Sequence, residues 1–454
     1  MQRRTLLKRL ALAAAAAPLP AGAARAAHTG SRASIPAPAT TASPHAPARA
    51  PAPALAPPLA PASAPALAPP LDPARWSALN AQRLDAVIAQ FGSRGARYDP
   101  RRRPYAVFDW DNTCIMNDCE EALLVYLIDQ LAFELTPDQF EVVVRADLPG
   151  GPFKAPYANR AGQPVRMDEL ADDIVADYRW LCAARGGGAA LPELQRSDQF
   201  LDFRAKVYFM YEALCESHPI EVGYTWIITL FAGMTVPRLQ ALAAASHLRG
   251  LGDALRPVRF ESPASLPGRA GVLAIGHFQG LRINEEMRAL MHTLRANGID
   301  VFVSTASLDD VVRVFAADPN LGFGVAPDNV IGLRLEMSEG RYTRRYRQGW
   351  HFNWGPGKTV GIRNVLGGRG EPLMVFGDSD GDASMLREFA GTQVGVIVNR
   401  LKKGEIGALS AQAAASRGQP RARYLLQGRN EASGISMPDE RSLKYGASEP
   451  RLLA

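Results

Sequence analysis

Two carboxylates one residue apart, with a hydroxyl two positions further on, are the first chemistry the chain offers: Asp109-Trp110-Asp111-Asn112-Thr113. They follow Tyr105-Ala106-Val107-Phe108, a compact apolar run of the kind that forms a buried strand, so both acids sit at its tip. A carboxylate there can attack phosphorus and form an aspartyl-phosphate, which splits hydrolysis into two easier steps. A second carboxylate can protonate the leaving alkoxide and later deprotonate the attacking water. Two acids this close disturb each other's ionisation, so the site needs positive charge. Mg²⁺ held by oxygen ligands, together with a lysine, would supply it. A capped helix start gives the same short pattern, so the pattern needs support from elsewhere in the chain.

Three other places supply that support. Ser304 ends the run Asp300-Val301-Phe302-Val303, where its hydroxyl and the N–H groups that follow, beginning at Thr305, are suited to phosphate oxygens. Lys358 lies in Gly355-Pro356-Gly357-Lys358-Thr359 at an apparent helix start, where an ammonium can neutralise a phosphoryl group as the transition state forms. Gly377-Asp378-Ser379-Asp380-Gly381-Asp382 follows the apolar run Leu373-Met374-Val375-Phe376 and offers carboxylates to a hard cation. Whether Asp380 or Asp382 is the second acid of that loop stays open. Alone, each feature reads as a surface turn.

The elements that must position these residues alternate. Val394-Gly395-Val396-Ile397-Val398 is another strand, and Leu290 to Asn297 reads as a helix stopped by Gly298. Strands alternating with helices predict an α/β fold with a mostly parallel, doubly wound sheet. Ligands bind beyond the carboxyl ends of such strands, where all the marked polar residues fall. Asp118 to Ala132 carries apolar residues at helical spacing. Asp168 to Arg185, Arg204 to Glu216 and Val236 to Ser246 also read as helices, which makes residues 118–270 an inserted α-helical cap. The catalytic core is then 74–117 with 271–454.

Ahead of the core, Met1 to Ala27 has a basic head, a short apolar middle and small residues at its end, the three parts of an export signal. Arg3-Arg4 followed by Leu6, Leu7 and Lys8 is similar to a twin-arginine signal, with the general secretory route as the alternative. Both routes lead to the periplasm or the medium, with no stable membrane span once the signal is removed. Residues 28–73 are almost entirely Ala, Pro, Ser and Leu, a composition that builds an extended disordered linker. The net charge of the 454 residues is +6 and much of the excess is scattered arginine. No basic stripe with interleaved aromatics marks nucleic acid as a partner. Cys114, Cys119, Cys182 and Cys215 form no dense framework, and a Cys182–Cys215 bridge stays open.

The four polar clusters, in this order, resemble the motifs of the haloacid dehalogenase superfamily of phosphohydrolases. By position, the resemblance implies Asp109 as nucleophile and Asp111 as general acid/base, with Asp111 also joining the metal site through its carbonyl. It implies Thr113 as a residue orienting the nucleophile's loop, Ser304 with Thr305 as phosphate binders, and Lys358 as the bridge between nucleophile and phosphate. Asp378 would ligate Mg²⁺, and Asp382 would support the metal or the lysine. A cap between the first and second motifs matches the superfamily's C1 class. Asn117-Asp118-Cys119-Glu120-Glu121, Gly223-Tyr224-Thr225-Trp226 and Leu425-Leu426-Gln427-Gly428-Arg429 are similar to the phosphorylcholine phosphatase branch. Thr305 departs from that branch's usual small residue, and the acidic loop after Asp378 looks one residue shorter than the branch's.

The expected partner is a small-molecule phosphomonoester, with phosphorylcholine as one candidate and phosphoserine as the alternative. An exported ligand-binding protein without turnover is the reading from another class. A quaternary ammonium is read by aromatic faces beside a carboxylate. The chain offers Tyr208, Tyr211, Glu212, Tyr224 and Trp226 in the cap, and Trp110, Trp350 and Trp354 in the core. Helically spaced aromatics also serve as plain packing. Glu120 and Glu121 suit either a cationic head group or a solvated helix face, and His277, His292 and His351 read as structural.

Overall fold

The computed structural model describes Leu71, Asp72 and residues 75–454. The expected export signal at 1–27 lies outside the described residues, as does the expected linker at 28–73 apart from Leu71 and Asp72. Six strands make the central sheet: β1 (Tyr105–Phe108), β2 (Asp300–Leu308), β3 (Val330–Leu333), β4 (Met374–Gly377), β5 (Val394–Val398) and β6 (Tyr424–Gln427). Their order is β6-β5-β4-β1-β2-β3, with every pairing parallel. The apolar runs are continuous because both faces of the sheet are covered. Side chains alternate between those faces. Tyr105, Val107 and Phe302 pack with Ile362, Leu386 and Leu409 on one side, and Ala106, Phe108 and Val303 pack with Leu290, Val312 and Phe315 on the other. This is the doubly wound α/β sheet expected from the sequence.

Register decides where the chemistry sits. Phe108 pairs with Val303 on one neighbour and Phe376 on the other, and its ring stacks on Phe376 at 3.9 Å. The polar residues that follow these three strands therefore emerge together at the carboxyl edge.

Among the described residues one helix, α1 (Ala78–Phe91), precedes the sheet, and five come after residue 284: α8 (Glu285–Ala296), α9 (Asp309–Ala317), α10 (Pro356–Leu366), α11 (Ala383–Arg387) and α12 (Gly404–Ala415). Between β1 and β2 come α2 (Cys119–Gln130), α3 (Pro137–Val144), α4 (Met167–Gly186), α5 (Asp198–Ser217), α6 (Ile220–Thr229) and α7 (Val236–Gly252). After α7 comes an antiparallel pair, Arg256–Glu261 with Ala274–Gln279, whose second strand lies beyond the expected cap limit of 270. Asp118 caps α2 by accepting the N–H groups of Glu120 and Glu121 at 2.8 and 2.9 Å. The bridge left open between Cys182 and Cys215 is not formed. Both are free thiols, Cys182 lying by Tyr178 and Cys215 against Gly223.

A buried charge cluster holds the helical lobe to the strand pair. Lys206 on α5 is fully buried, and its Nζ donates to Asp202 Oδ2 at 2.6 Å, Asp173 Oδ2 at 2.9 Å and the Pro267 carbonyl at 3.1 Å. Asp173 on α4 also accepts the N–H groups of Arg269 and Ala270. Removing one partner from such a cluster leaves uncompensated charge in a dry interior, a loss of about 3–5 kcal/mol. Lys206→Met is therefore expected to lower stability by about that amount in denaturant unfolding. A change below about 1 kcal/mol would show that the cluster contributes little.

Candidate active site

Asp109 leaves β1 with its N–H bonded to the Phe376 carbonyl, which fixes its backbone, and the residue is 6% exposed. Its Oδ1 accepts from Lys358 Nζ at 2.5 Å, and the same ammonium donates to Asp382 Oδ1 at 2.7 Å. The Thr113 hydroxyl lies 2.9 Å from Asp109 Oδ2 and 3.2 Å from Asp378 Oδ1. Asp382 Oδ2 takes the N–H groups of Asp378 and Ser379 at 2.9 and 3.0 Å, closing the acidic loop on itself. Lys358 can reach Asp109 because α10 begins hard against the preceding loop. A Cβ on Gly357 would stand 1.6 Å from the Phe352 carbonyl oxygen, and Gly355 takes a φ of 53°. At the first turn out of β1, Asn112 has a φ of 64°, a left-handed conformation that asparagine tolerates.

The charges depend on one another. Burial pushes the Asp109 pKa well up, Asp382 and Asp378 add to the push, and Lys358 opposes it. Burial works against the Lys358 ammonium, but Asp109 and Asp382 outweigh it and hold the lysine charged. Burial likewise opposes ionisation of Asp378. Arg400, whose Nη1 donates to Asp378 Oδ2 at 2.6 Å, and Lys402 prevail and keep this carboxyl below its ordinary value. Carboxylate oxygens of Asp109, Asp378 and Asp382 lie within 4.8 Å of one another. Three hard oxygen donors at this spacing, one of them resisting ionisation, fit a hard divalent cation, which would favour the charged form of Asp109.

Asp111 stands apart from this trio. Its Oδ1 accepts the Cys119 N–H and its Oδ2 the Ser307 hydroxyl, each at 2.8 Å, so the carboxyl is fixed at the start of α2. Ser304 is not in the cleft. It is fully buried, level with Asp109 in the register of β1 with β2, and its Oγ accepts from Asn353 Nδ2 at 3.1 Å. Thr305, Ala306 and Ser307 line the cleft instead. Of the two acids left open, Asp382 is the one bonded to Lys358, while Asp380 accepts the Ile406 N–H near the start of α12.

The cleft has a volume of about 350 Å³. The cap contributes Tyr211, Glu216, Ile220 and Tyr224 to its wall, with Trp354 from the core. Asp118 and Glu120, in the chain's path out of β1, also line it. Seven acidic side chains and three basic ones (Lys358, Arg400 and Lys402) line it, so acids outnumber bases in the cleft. Of the other aromatic candidates, Trp110 packs against Phe315 and Phe323, Trp226 donates to the Val144 carbonyl, and Tyr208 meets His277. Trp350 lies under the Arg334 guanidinium at 3.9 Å. Glu212 accepts from Tyr208, and Glu121 from Tyr211. Sequence reasoning missed Ser307, Arg400, Lys402 and Glu216. Arg400 had a signal, since it follows the β5 run by two residues and strand ends are where such sheets bind ligands.

Comparison with known proteins agrees with this geometry. The profile of the haloacid dehalogenase-like hydrolases matches residues 229–387, a span that includes Thr305, Lys358 and Asp378. The phosphorylcholine phosphatase of Pseudomonas aeruginosa is 26% identical over 355 residues, covering 72% of this chain and 81% of that protein. Among solved structures, a conserved protein of unknown function from Anaerococcus prevotii is 30% identical with a TM-score of 0.78. That match covers 83% of this chain and 98% of the other.

The two serines of β2 make opposite predictions. Ser307→Ala removes a hydrogen bond to the Asp111 carboxyl and is expected to lower kcat about tenfold. Ser304→Ala, acting from the buried face, should leave kcat within about twofold and lower only thermal stability. Steady-state kinetics of the pair decide, and the reverse order of effects would return Ser304 to the cleft.

Proposed function

Because the chain belongs to the haloacid dehalogenase-like hydrolases and is a phosphatase, we propose that it is a Mg²⁺-dependent phosphomonoesterase acting through an aspartyl-phosphate at Asp109. Its proposed substrates are small phosphomonoesters whose alcohol carries a cation, phosphorylcholine among them. The observation that carries the reading is the meeting of Asp109, Lys358 and Asp378, distant in sequence, within one buried cluster. Asp109 and Asp378 would hold Mg²⁺, with the Asp111 carbonyl beside them. When bound, the ion neutralises phosphate oxygens and keeps the nucleophile ionised.

The chain's own residues then account for two displacements. A carboxylate oxygen of Asp109 attacks phosphorus as the bond to the ester oxygen breaks, and Asp111, held by Cys119 and Ser307, gives its proton to the departing alkoxide. Asp111 then takes a proton from water, whose oxygen attacks the same phosphorus and releases Asp109. Lys358, fixed between Asp109 and Asp382, faces the charge that develops on the phosphoryl oxygens without needing to reorganise. Thr113 and Thr305 are positioning and phosphate-binding residues in this scheme, and Asp382 holds the lysine.

The substrate class rests on the outer wall. Tyr211, Tyr224 and Trp354 present aromatic surface next to Glu216, Asp118 and Glu120, the combination a quaternary ammonium favours. Arg400 and Lys402 line the same cleft and favour the second reading, a zwitterionic ester such as phosphoserine, whose carboxylate they would meet. The lobe at 118–270 acts as the cap that supplies most of this wall. For location we propose export through the amino-terminal segment. Among the described residues no helix is long and apolar enough to cross a membrane. Cell fractionation should find the enzyme outside the cytoplasm, and retention of an Arg3→Lys, Arg4→Lys variant inside would identify the twin-arginine route.

Asp109→Asn is expected to cut turnover of p-nitrophenyl phosphate by on the order of 10⁴-fold with little change in folding. EDTA should abolish wild-type turnover and MgCl₂ restore it; undiminished activity in EDTA would remove the metal from the scheme. Tyr224→Ala should raise KM for phosphorylcholine about tenfold and leave that for p-nitrophenyl phosphate nearly unchanged. A preference for phosphoserine, insensitive to Tyr224, would favour the second reading.

A further inference from the structure

A second cavity of about 220 Å³ lies in the cap, where α2, α5 and α7 meet the antiparallel pair Arg256–Glu261 and Ala274–Gln279. It shares no lining residue with the catalytic cleft and plays no part in the proposed phosphatase reaction. Three guanidinium groups, from Arg204, Arg249 and Arg259, line it together with the carboxylates of Asp129 and Asp253. Asp129 is divided between two of them, 2.6 Å from Arg249 Nη2 and 3.9 Å from Arg204 Nη1. Asp253 is 3.8 Å from Arg249 Nε, so both acids serve chiefly that one arginine. Among the described residues Arg259 pairs with Glu261 on its own strand, at 3.3 Å, and it is largely exposed. The balance in the cavity is therefore positive, the opposite of the catalytic cleft.

The donors are also fixed in place. Arg204 lies over the Phe260 ring at 4.9 Å and near that of Phe200 at 5.7 Å, which orients its planar group. Its Nε is buried and has no hydrogen-bond partner among the described residues. Ser246 on α7 lines the same cavity, is 2% exposed, and its Oγ is likewise buried without a partner. Buried donors are nearly always satisfied in native proteins, so two in one cavity call for an acceptor. A guanidinium fork held flat matches the oxygens of a small oxyanion, and the volume exceeds several times the roughly 30 Å³ of one liquid water.

We propose that this cavity is a second ligand site, taking a small oxyanion of the phosphate or carboxylate class on Arg204, Ser246 and Arg259.

Calorimetric titration of the full, Mg²⁺-loaded protein with inorganic phosphate and, separately, acetate tests this. Phosphate should fill two sites per chain or acetate one. The second phosphate site assigns the phosphate class, and the acetate site the carboxylate class. Arg204→Gln with Arg259→Gln should weaken that site at least tenfold while p-nitrophenyl phosphate turnover stays within twofold. Ser246→Ala, which removes only a hydroxyl, should weaken it several-fold and decides the matter if the double variant folds poorly. A single phosphate site with no acetate binding, or a second site untouched by these variants, overturns the proposal. Neither result bears on turnover in the main cleft.

Discussion

Lys358 sits between Asp109 and Asp382 with all three side chains almost fully buried, and the carboxyl edge of the sheet is organised around keeping that contact. Charges taken out of water are tolerated only when partners and hydrogen bonds replace hydration. Each member of the cluster meets this condition through another. Asp382 has one oxygen on the lysine and the other on two backbone N–H groups of its own loop. Asp378 is shared between the Thr113 hydroxyl and Arg400. Gly357 is demanded by the same contact, because any side chain there would strike the Phe352 carbonyl and displace the helix that presents the lysine. The parallel register of β1 with β2 and β4 brings these loops level in the first place.

Much of this was legible in the sequence because buried parallel strands read as unbroken apolar runs. The residues at 105–108 and 394–398 appear in the structure with those limits, and the polar residue after each run marks the edge where ligands bind. The side of β2 was harder to read. Its run continues to Leu308, and the pairing with β3 becomes irregular between Ser304 and Leu308, so the place where the strand opens to the cleft was not visible as a change in hydrophobicity. Ser304 is fully buried, while Thr305 and Ser307 line the cleft. The aromatic candidates divided similarly. Tyr211 and Tyr224 face the cleft, while Tyr208 and Trp226 are core, because helical spacing gives a face and not the identity of what lies opposite.

The two walls of the cleft have different electrostatic tasks. Around the carboxylate trio, lysine and arginine offset part of the negative charge and leave a remainder suited to a hard cation. Toward α5 and α6, Glu216, Asp118 and Glu120 line the cleft together with aromatic rings, and among the described residues no lysine or arginine is bonded to their carboxyl groups. Burial raises the pKa of Asp118 to about 8 and pushes that of Glu120 well up, so these two acids hold their protons unless a positive group lies beside them. In the proposed function, phosphoryl chemistry and recognition of the alcohol fall to separate sets of acids within one cavity.

The central claim is that Asp109 itself carries the phosphoryl group. Acid-quenched single-turnover reactions, digested and analysed by mass spectrometry, test it most directly. The account predicts a transient phosphoryl adduct on the peptide containing Asp109, appearing with release of the alcohol and decaying as inorganic phosphate forms. Release of phosphate and alcohol together, with no adduct on that peptide at any time, would contradict it.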